Sequence, residues 1–546
     1  MQQREPANTG MTAACPAIPL HERRSSRLML AAAALPVAVV LLLYAWRPLK
    51  LGFYSDDWLV FLHPEYGSFR SWSDLYAMYQ NRPVAGLAAW LAQLAIGGDP
   101  ARAQAVSTVL VIAAAIPLGW LTYILAGSLS ERHEARLWGA GLAAAAYLAF
   151  PWTLGFSAWA TAAAAAAPAT FLFCLAACLL VGPNGQRLST QVSASLLMGA
   201  SFLTYESFYG QFILVLALAA VMRPIRGSHW MMLRPAFVLG TVNVACFLYN
   251  RLAEGNRKTF SEYWYQTFLN GYYYYFWPNL LRSFRETAPI VATCLIVALS
   301  FGLFLLARLI GPRRTLLALL AVLAGIWAAG LFYAIAGYGL TTVGTFARVT
   351  VVLSCYGALL LGLLGAAAAA RLDCERWLAR SQIVASVVLL AALCGASAYR
   401  LADWARSWAV QQEVLRQFPH TTKSLVSPDI AFLYVGPFGP PDVPIATAPW
   451  EIPGTIAYAM FKDQPAAARQ LLADIWSGPG RRWLAGSPDW STSFDGETVS
   501  QHLCYNPAAA YSLMAKELWV WRVGQPQLEL APKGFHVGCN DPGVPN

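Results

Sequence analysis

The sequence predicts an α-helical polytopic membrane protein of about eleven spanning helices, followed by a C-terminal exported α/β or α+β domain. Three observations carry that prediction. Of 546 residues, 57% are hydrophobic and 12% are charged, whereas a soluble domain carries roughly 25% charged residues. The apolar residues gather in runs that approach the roughly 20 needed to cross a hydrocarbon core. Past residue 404 the runs shorten, and proline becomes frequent (Pro437, Pro440, Pro441, Pro444, Pro449, Pro453).

The apolar runs fall near 27–46, 104–127, 137–150, 157–181, 191–204, 208–222, 236–252, 288–310, 315–336, 346–370 and 381–400. Pro83–Ile96 is short and close to a charged loop, so it reads as a juxtamembrane helix lying along the surface. Arg23, Arg24 and Arg27 precede the first run and hold the N-terminus inside. The loops with Arg132/Arg136, Arg187, Arg223/Arg226/Arg234, Arg313/Arg314 and Arg371/Arg376/Arg380 then fall on that same side. The loops 151–156, 205–207 and 337–345 contain no Lys or Arg and fall outside. An odd number of spans exports the tail. The first run is longer than a signal-peptide core and has no clear cleavage site, so it is read as retained.

The expected organisation is a cytoplasmic segment 1–26, a transmembrane domain 27–403 with an exported loop 47–103, and an exported domain 404–546. The expected setting is the inner (plasma) membrane of a bacterium. The net charge of +10 sits mostly in short loops. It sets topology and does not form the basic–aromatic patches of a nucleic-acid site. A second long exported loop, 253–287, is aromatic, with Tyr272–Tyr275 reading most simply as an interfacial belt. In the tail, β-like runs occur at Ala431–Val435, Leu518–Val523 and Gln527–Leu530, with a helix at Ala466–Ile475. Eight of ten cysteines lie at or near the N-terminus, the spans or an inside loop, without metal-type spacing. Cys504 and Cys539 stand alone in the tail and are a disulfide candidate in an oxidising compartment; two free thiols are the alternative.

The chemistry-bearing pattern begins at Asp56-Asp57, in Leu51–Trp58, at the start of the first exported loop. Carboxylates at a membrane surface are costly and usually functional. Tyr54 and Trp58 flank them. Adjacent residues do not share one face of a helix or strand. One carboxylate is therefore expected to reach a reacting centre, as a general base, while the other supports it or faces a metal. A solvated turn or a helix cap is the plain alternative. Asn81-Arg82-Pro83 follows; an Arg before a surface helix can bind a phosphate bidentately or simply snorkel. Tyr205-Glu206-Ser207 lies at the junction of two apolar runs, where a polar group can be structural. Arg348 enters the outer end of an apolar run and departs from the positive-inside pattern.

In order and sidedness these motifs resemble the GT-C class of integral-membrane glycosyltransferases. Tyr205-Glu206-Ser207 is similar to the Lys-Glu-Ser-like junction of the protein mannosyltransferase branch, with Tyr in place of Lys. Phe346-Ala-Arg348 is similar to the Arg-Tyr segment late in those chains, with Val349 in place of Tyr. The likeness covers the layout of about residues 27–400. It implies a polyprenyl-phosphate sugar donor presented at the outer face and an inverting attack by an acceptor hydroxyl on a glycan, lipid or protein. Asp56 would be the base. Asp57 would orient the acceptor or, in metal-dependent members, help bind a divalent cation; monophosphate-donor members often need none. Arg82 and Arg348 would neutralise the leaving phosphate, with Glu206, Tyr205, Tyr54 and Trp58 in support. A transporter and a non-catalytic envelope-assembly protein remain open. The first would carry internal repeats, and none is visible.

Overall fold

The computed structural model describes residues 21–62, 71–222, 230–253, 283–284, 287–335, 350–417, 430–435, 451–460, 483–485, 490–503, 506–522 and 529–538, and positions 269, 440, 443, 445, 465–466 and 468–469. Its helices are α1 (His21–Leu43), α2 (Arg47–Lys50), α3 (Asp57–Val60), α4 (Trp72–Met78), α5 (Pro83–Ile96), α6 (Pro100–Ala126), α7 (His133–Ala149), α8 (Pro151–Ser157), α9 (Ala160–Val181), α10 (Leu188–Phe202), α11 (Gln211–Met222), α12 (Trp230–Leu252), α13 (Ala288–Ile310), α14 (Pro312–Ile335), α15 (Val351–Ala370), α16 (Arg376–Gln417) and α17 (Glu451–Met460). A short 3-10 turn, Glu206–Phe208, joins α10 to α11.

Each predicted apolar run holds a helix, and α5 has the predicted bounds. The count of eleven spans is nevertheless too high. Among the described residues seven helices are long and apolar enough to cross a membrane, or eight if α7 and α8 are one span bent by 58°. The bend follows from Pro151 at the first position of α8, which interrupts the ladder of α7. The shortfall is one of helix length. α10 and α11 have 15 and 12 residues, roughly 22 and 18 Å against a core of about 30 Å. The apolar run between them spends residues on the 3-10 junction, and α12 is apolar only over Pro235–Asn250.

Small residues decide how the helices meet. In α15, 89% of the apolar window is buried, against 22% of the first span, so α15 is the axis of the bundle. α7 crosses it where Gly139 and Gly362 face each other; a Cβ on Gly139 would lie 2.6 Å from the Gly362 carbonyl oxygen. Gly141 rests in the same way on the carbonyl of Ala32 in α1. Without a hydrophobic drive between helices in lipid, such close backbone approach supplies the association.

Two ends of the bundle are defined by contacts. Arg132 Nη1 lies 2.6 Å from Asp373 Oδ2, and Arg308 Nε lies 3.9 Å from Glu375 Oε1. These pairs bring the connections after α6, α13 and α15 to one end. The opposite end carries Asp56 and Asp57.

α16 has 42 residues, roughly 63 Å, about twice the hydrocarbon thickness. It runs unbroken through position 403, past the bundle and into the C-terminal region. Eight strands follow: β1 (Ile430–Val435), β2 (Trp483–Ala485), β3 (Trp490–Phe494), β4 (Thr498–Leu503), β5 (Asn506–Met514), β6 (Glu517–Arg522), β7 (Glu529–Leu530) and β8 (Phe535–Val537). One sheet, in the order β2-β1-β6-β7, pairs β1 in parallel with both β2 and β6. The other, β5-β4-β3-β8, is antiparallel. β1, β6 and β7 sit on the predicted β-like runs. β2 to β5 and β8 were not anticipated, because strands such as Trp490–Phe494 (WSTSF) show little apolar alternation. Most of the predicted helix 466–475 lies outside the described residues.

Candidate functional site

The acidic turn is held from three sides. Ser55 is the one non-glycine residue at positive φ among the described residues, at +47°. That conformation costs an L-residue on the order of 1–2 kcal/mol. It turns the chain so that Asp56 and Asp57 diverge. Asp56 takes the N-cap position of α3 and is partly exposed.

Asp57 is fully buried. Its Oδ2 accepts the Tyr54 N–H at 3.1 Å and the Ala160 N–H at 3.2 Å; its Oδ1 accepts the Thr161 N–H and the Thr161 hydroxyl, each at 2.7 Å. Asp57 thus satisfies orphan donors in the first turn of α9, a cap supplied from more than 100 residues away. Burial pushes its carboxyl up to about 7, and the hydrogen bonds from Thr161, Tyr54 and Ala160 oppose that rise.

The flanking aromatics lay this segment along α16. The Tyr54 hydroxyl donates to the Trp404 carbonyl at 2.7 Å, and burial raises that phenol well above its ordinary range. Gly52 lies beneath the Trp408 ring, where any Cβ would overlap the indole. The Trp58 indole N–H donates to Gln411 Oε1 at 2.8 Å. Residues 404, 408 and 411 share one face of a helix. From the far side, α17 rests on α3: a Cβ on Gly454 would lie 2.8 Å from the Trp58 carbonyl oxygen.

Two other predicted residues, distant in sequence, meet. Arg82 Nε lies 3.4 Å from Glu206 Oε1, with the two side chains 6% and 14% exposed. The Arg82 guanidinium also sits 5.3 Å from the Tyr79 ring centre. The pair is ionic without an aligned hydrogen bond: among the described residues, Arg82 Nε and Asn81 Oδ1 are buried with no hydrogen-bond partner. The Asn81 and Gln80 carbonyls accept from Asn250 Nδ2 and the Tyr249 hydroxyl of α12, which fixes the approach to α5. Tyr205 is buried beside Glu206. Arg348, Tyr272–Tyr275, Cys504 and Cys539 lie outside the described residues.

Asp57 has no oxygen left for a divalent cation. Each Asp57 oxygen already accepts two hydrogen bonds, its full complement. No group of three His, Cys, Asp or Glu side chains that could hold a metal occurs among the described residues.

Two features were missed from sequence. Asp403, next in sequence to the Trp404 that Tyr54 contacts, is buried between Arg400 and Arg406. Arg47 is wholly buried below the acidic turn. Its Nη2 donates to Ser157 Oγ at 3.0 Å, and its guanidinium carbon lies 4.2 Å from the Tyr44 ring centre. Its place among Tyr44, Trp46 and Tyr54 was the available signal. Near Gln411, a small open pocket lies between α16, α17 and the first sheet, lined mainly by apolar groups such as Val414, Ile452 and Ile456. Comparison with known protein families, curated proteins and solved structures finds no match to this chain.

Proposed function

We propose that the chain transfers a sugar from a polyprenyl-phosphate donor to a cell-envelope acceptor at the outer face of the inner membrane. The observation that carries the reading is the division of labour in the acidic turn. Asp57 is saturated with hydrogen bonds and anchors the turn to α9, while its neighbour Asp56 stays partly exposed beside the strained Ser55. That separation suits Asp56 as general base for an acceptor hydroxyl attacking the anomeric carbon with inversion. Arg82, with a buried Nε that makes no hydrogen bond, is the cation that meets the leaving phosphate. Arg348 is the second. On this reading the N-terminus is cytoplasmic and the C-terminal domain is periplasmic.

The test is transfer in proteoliposomes charged with radiolabelled lipid-linked sugars. Wild type should build labelled acceptor, and Asp56→Asn should cut the rate by about 10²–10⁴-fold. Near-normal transfer by a well-expressed Asp56→Asn protein would remove the assignment. Donor binding without turnover in the wild type would point to an assembly protein instead.

A further inference from the structure

We propose that Arg47 receives the phosphate ester of a membrane lipid beneath the acidic turn. The inference does not depend on sugar transfer. A transporter or an assembly protein would possess the same anion site.

Three buried arginines are described: Arg47, Arg82 and Arg400. Arg82 faces Glu206, and Arg400 faces Asp403. Arg47 faces no carboxylate within 4.0 Å among the described residues, and its Nε and Nη1 have no hydrogen-bond partner there. A guanidinium stays charged at any physiological pH. Removing such a charge from water without a counter-charge is among the most costly states a side chain can occupy. It persists where an anion completes it.

The surroundings hold the guanidinium in place without neutralising it. The Tyr44 hydroxyl donates to the Leu148 carbonyl at 2.9 Å, which fixes the ring that supports the guanidinium. Ser157, which takes the one directed hydrogen bond, closes α8. A planar fork fixed in this way suits a phosphate better than a hydrated ammonium would.

Height selects the source. Arg47 lies in the last turn of the candidate span Leu28–Lys50, the level at which lipid phosphates sit. A lipid-borne phosphate reaches that level from the bilayer. Because Arg47 is fully buried, docking requires the chain around it to part. The left-handed Ser55 marks stored strain in the neighbouring segment.

The experiment is thermal unfolding of the purified full chain with dioctanoyl phosphatidic acid, dioctanoylglycerol or inorganic phosphate. Wild type, Arg47→Met and Arg47→Lys are compared. Phosphatidic acid should raise the wild-type Tm, whereas dioctanoylglycerol should not. Arg47→Met should unfold at the same or a higher temperature without ligand, because an unpaired buried charge is gone. It should bind phosphatidic acid at least about tenfold more weakly. Arg47→Lys should keep part of the response. An undiminished shift in Arg47→Met would overturn the proposal. So would a Tm in ligand-free Arg47→Met well below wild type, because Arg47 would then be a structural cation. Equal shifts from inorganic phosphate and phosphatidic acid would overturn the lipid as source. Loss of transfer in Asp56→Asn, or its absence, would leave these outcomes unaffected.

Discussion

The two ends of the bundle use the same residue types in opposite environments. At the basic end, Arg132 and Asp373 are 35% and 27% exposed, and Arg308 and Glu375 are 62% and 21% exposed. At the acidic end, Arg47 and Asp57 are sealed at 0% exposure, Asp403 at 1% and Arg82 at 5%. Exposed pairs are screened and contribute about 0–1 kcal/mol, so those at the basic end add little to stability. Buried charges cost several kcal/mol apiece before their partners repay them. A fold that keeps so many at one end keeps them for geometry or chemistry. The acidic end is therefore where we place the candidate site, and the contrast can be broken by experiment.

The sharpest break separates the two neighbouring aspartates. Asp56→Asn should abolish most transfer, as above, while the unfolding free energy moves by no more than about 0.5 kcal/mol. Asp57→Ala strands three backbone N–H groups and a hydroxyl, and should destabilise by about 3–5 kcal/mol. Equal stability of the two variants in urea titrations would contradict the division of labour.

Second in size is the response to pH. Burial raises the Asp57 carboxyl from 3.8 to about 7, so the native chain holds this proton to higher pH than the unfolded chain does. The stability that this provides is present below about pH 4 and is lost as pH rises through about 7. Asp57→Ala should flatten that slope. A wild-type stability that rose across the window, with the rise absent from Asp57→Ala, would reverse the sign and reject the buried, proton-favouring site.

Next comes the Arg82–Glu206 pair. Glu206→Ala leaves a buried guanidinium uncompensated and should cost about 3–5 kcal/mol. The double change Arg82→Met with Glu206→Leu should recover most of that stability while transfer stays lost. If transfer returned with stability, the pair would be structural only. The smallest effect belongs to the other end: Asp373→Ala should move stability by less than about 1 kcal/mol. A larger loss would erase the contrast between the ends.

Hydropathy made most of this architecture legible. Every apolar run became a helix because burial of backbone polar groups in lipid leaves few other choices. Pro83 at the first turn and Gly97 at φ +58° mark α5 at both ends. The number of crossings was less legible, because apolar composition does not distinguish helix from apolar junction around Tyr205–Gly210. The pairings of Asp57 with Thr161 and of Arg82 with Glu206 were invisible, since nothing local links segments more than 100 residues apart. The extension of α16 past residue 403 was hidden too. Its second half carries three Arg and three Gln together with Asp403 and Glu413, which reads as loop when hydropathy is the only guide. Arg47 was passed over because an arginine at the end of a span normally marks orientation.

One consequence of α16 is mechanical. The acidic segment is threaded along a single stripe of this helix, at Trp404, Trp408 and Gln411. The same helix continues toward the sheets. It works as a calibrated shaft: rotation at one position is transmitted to everything beyond it. One residue inserted between Trp404 and Trp408 would advance the distal part by about 1.5 Å and twist it by about 100°. Tyr54 would keep its carbonyl, whereas Trp58 would lose its amide and α17 would swing away from α3. The reach of the C-terminal domain over the acidic turn is thus set by a residue count, and changing that count by one whole turn or by a fraction of a turn should have very different effects.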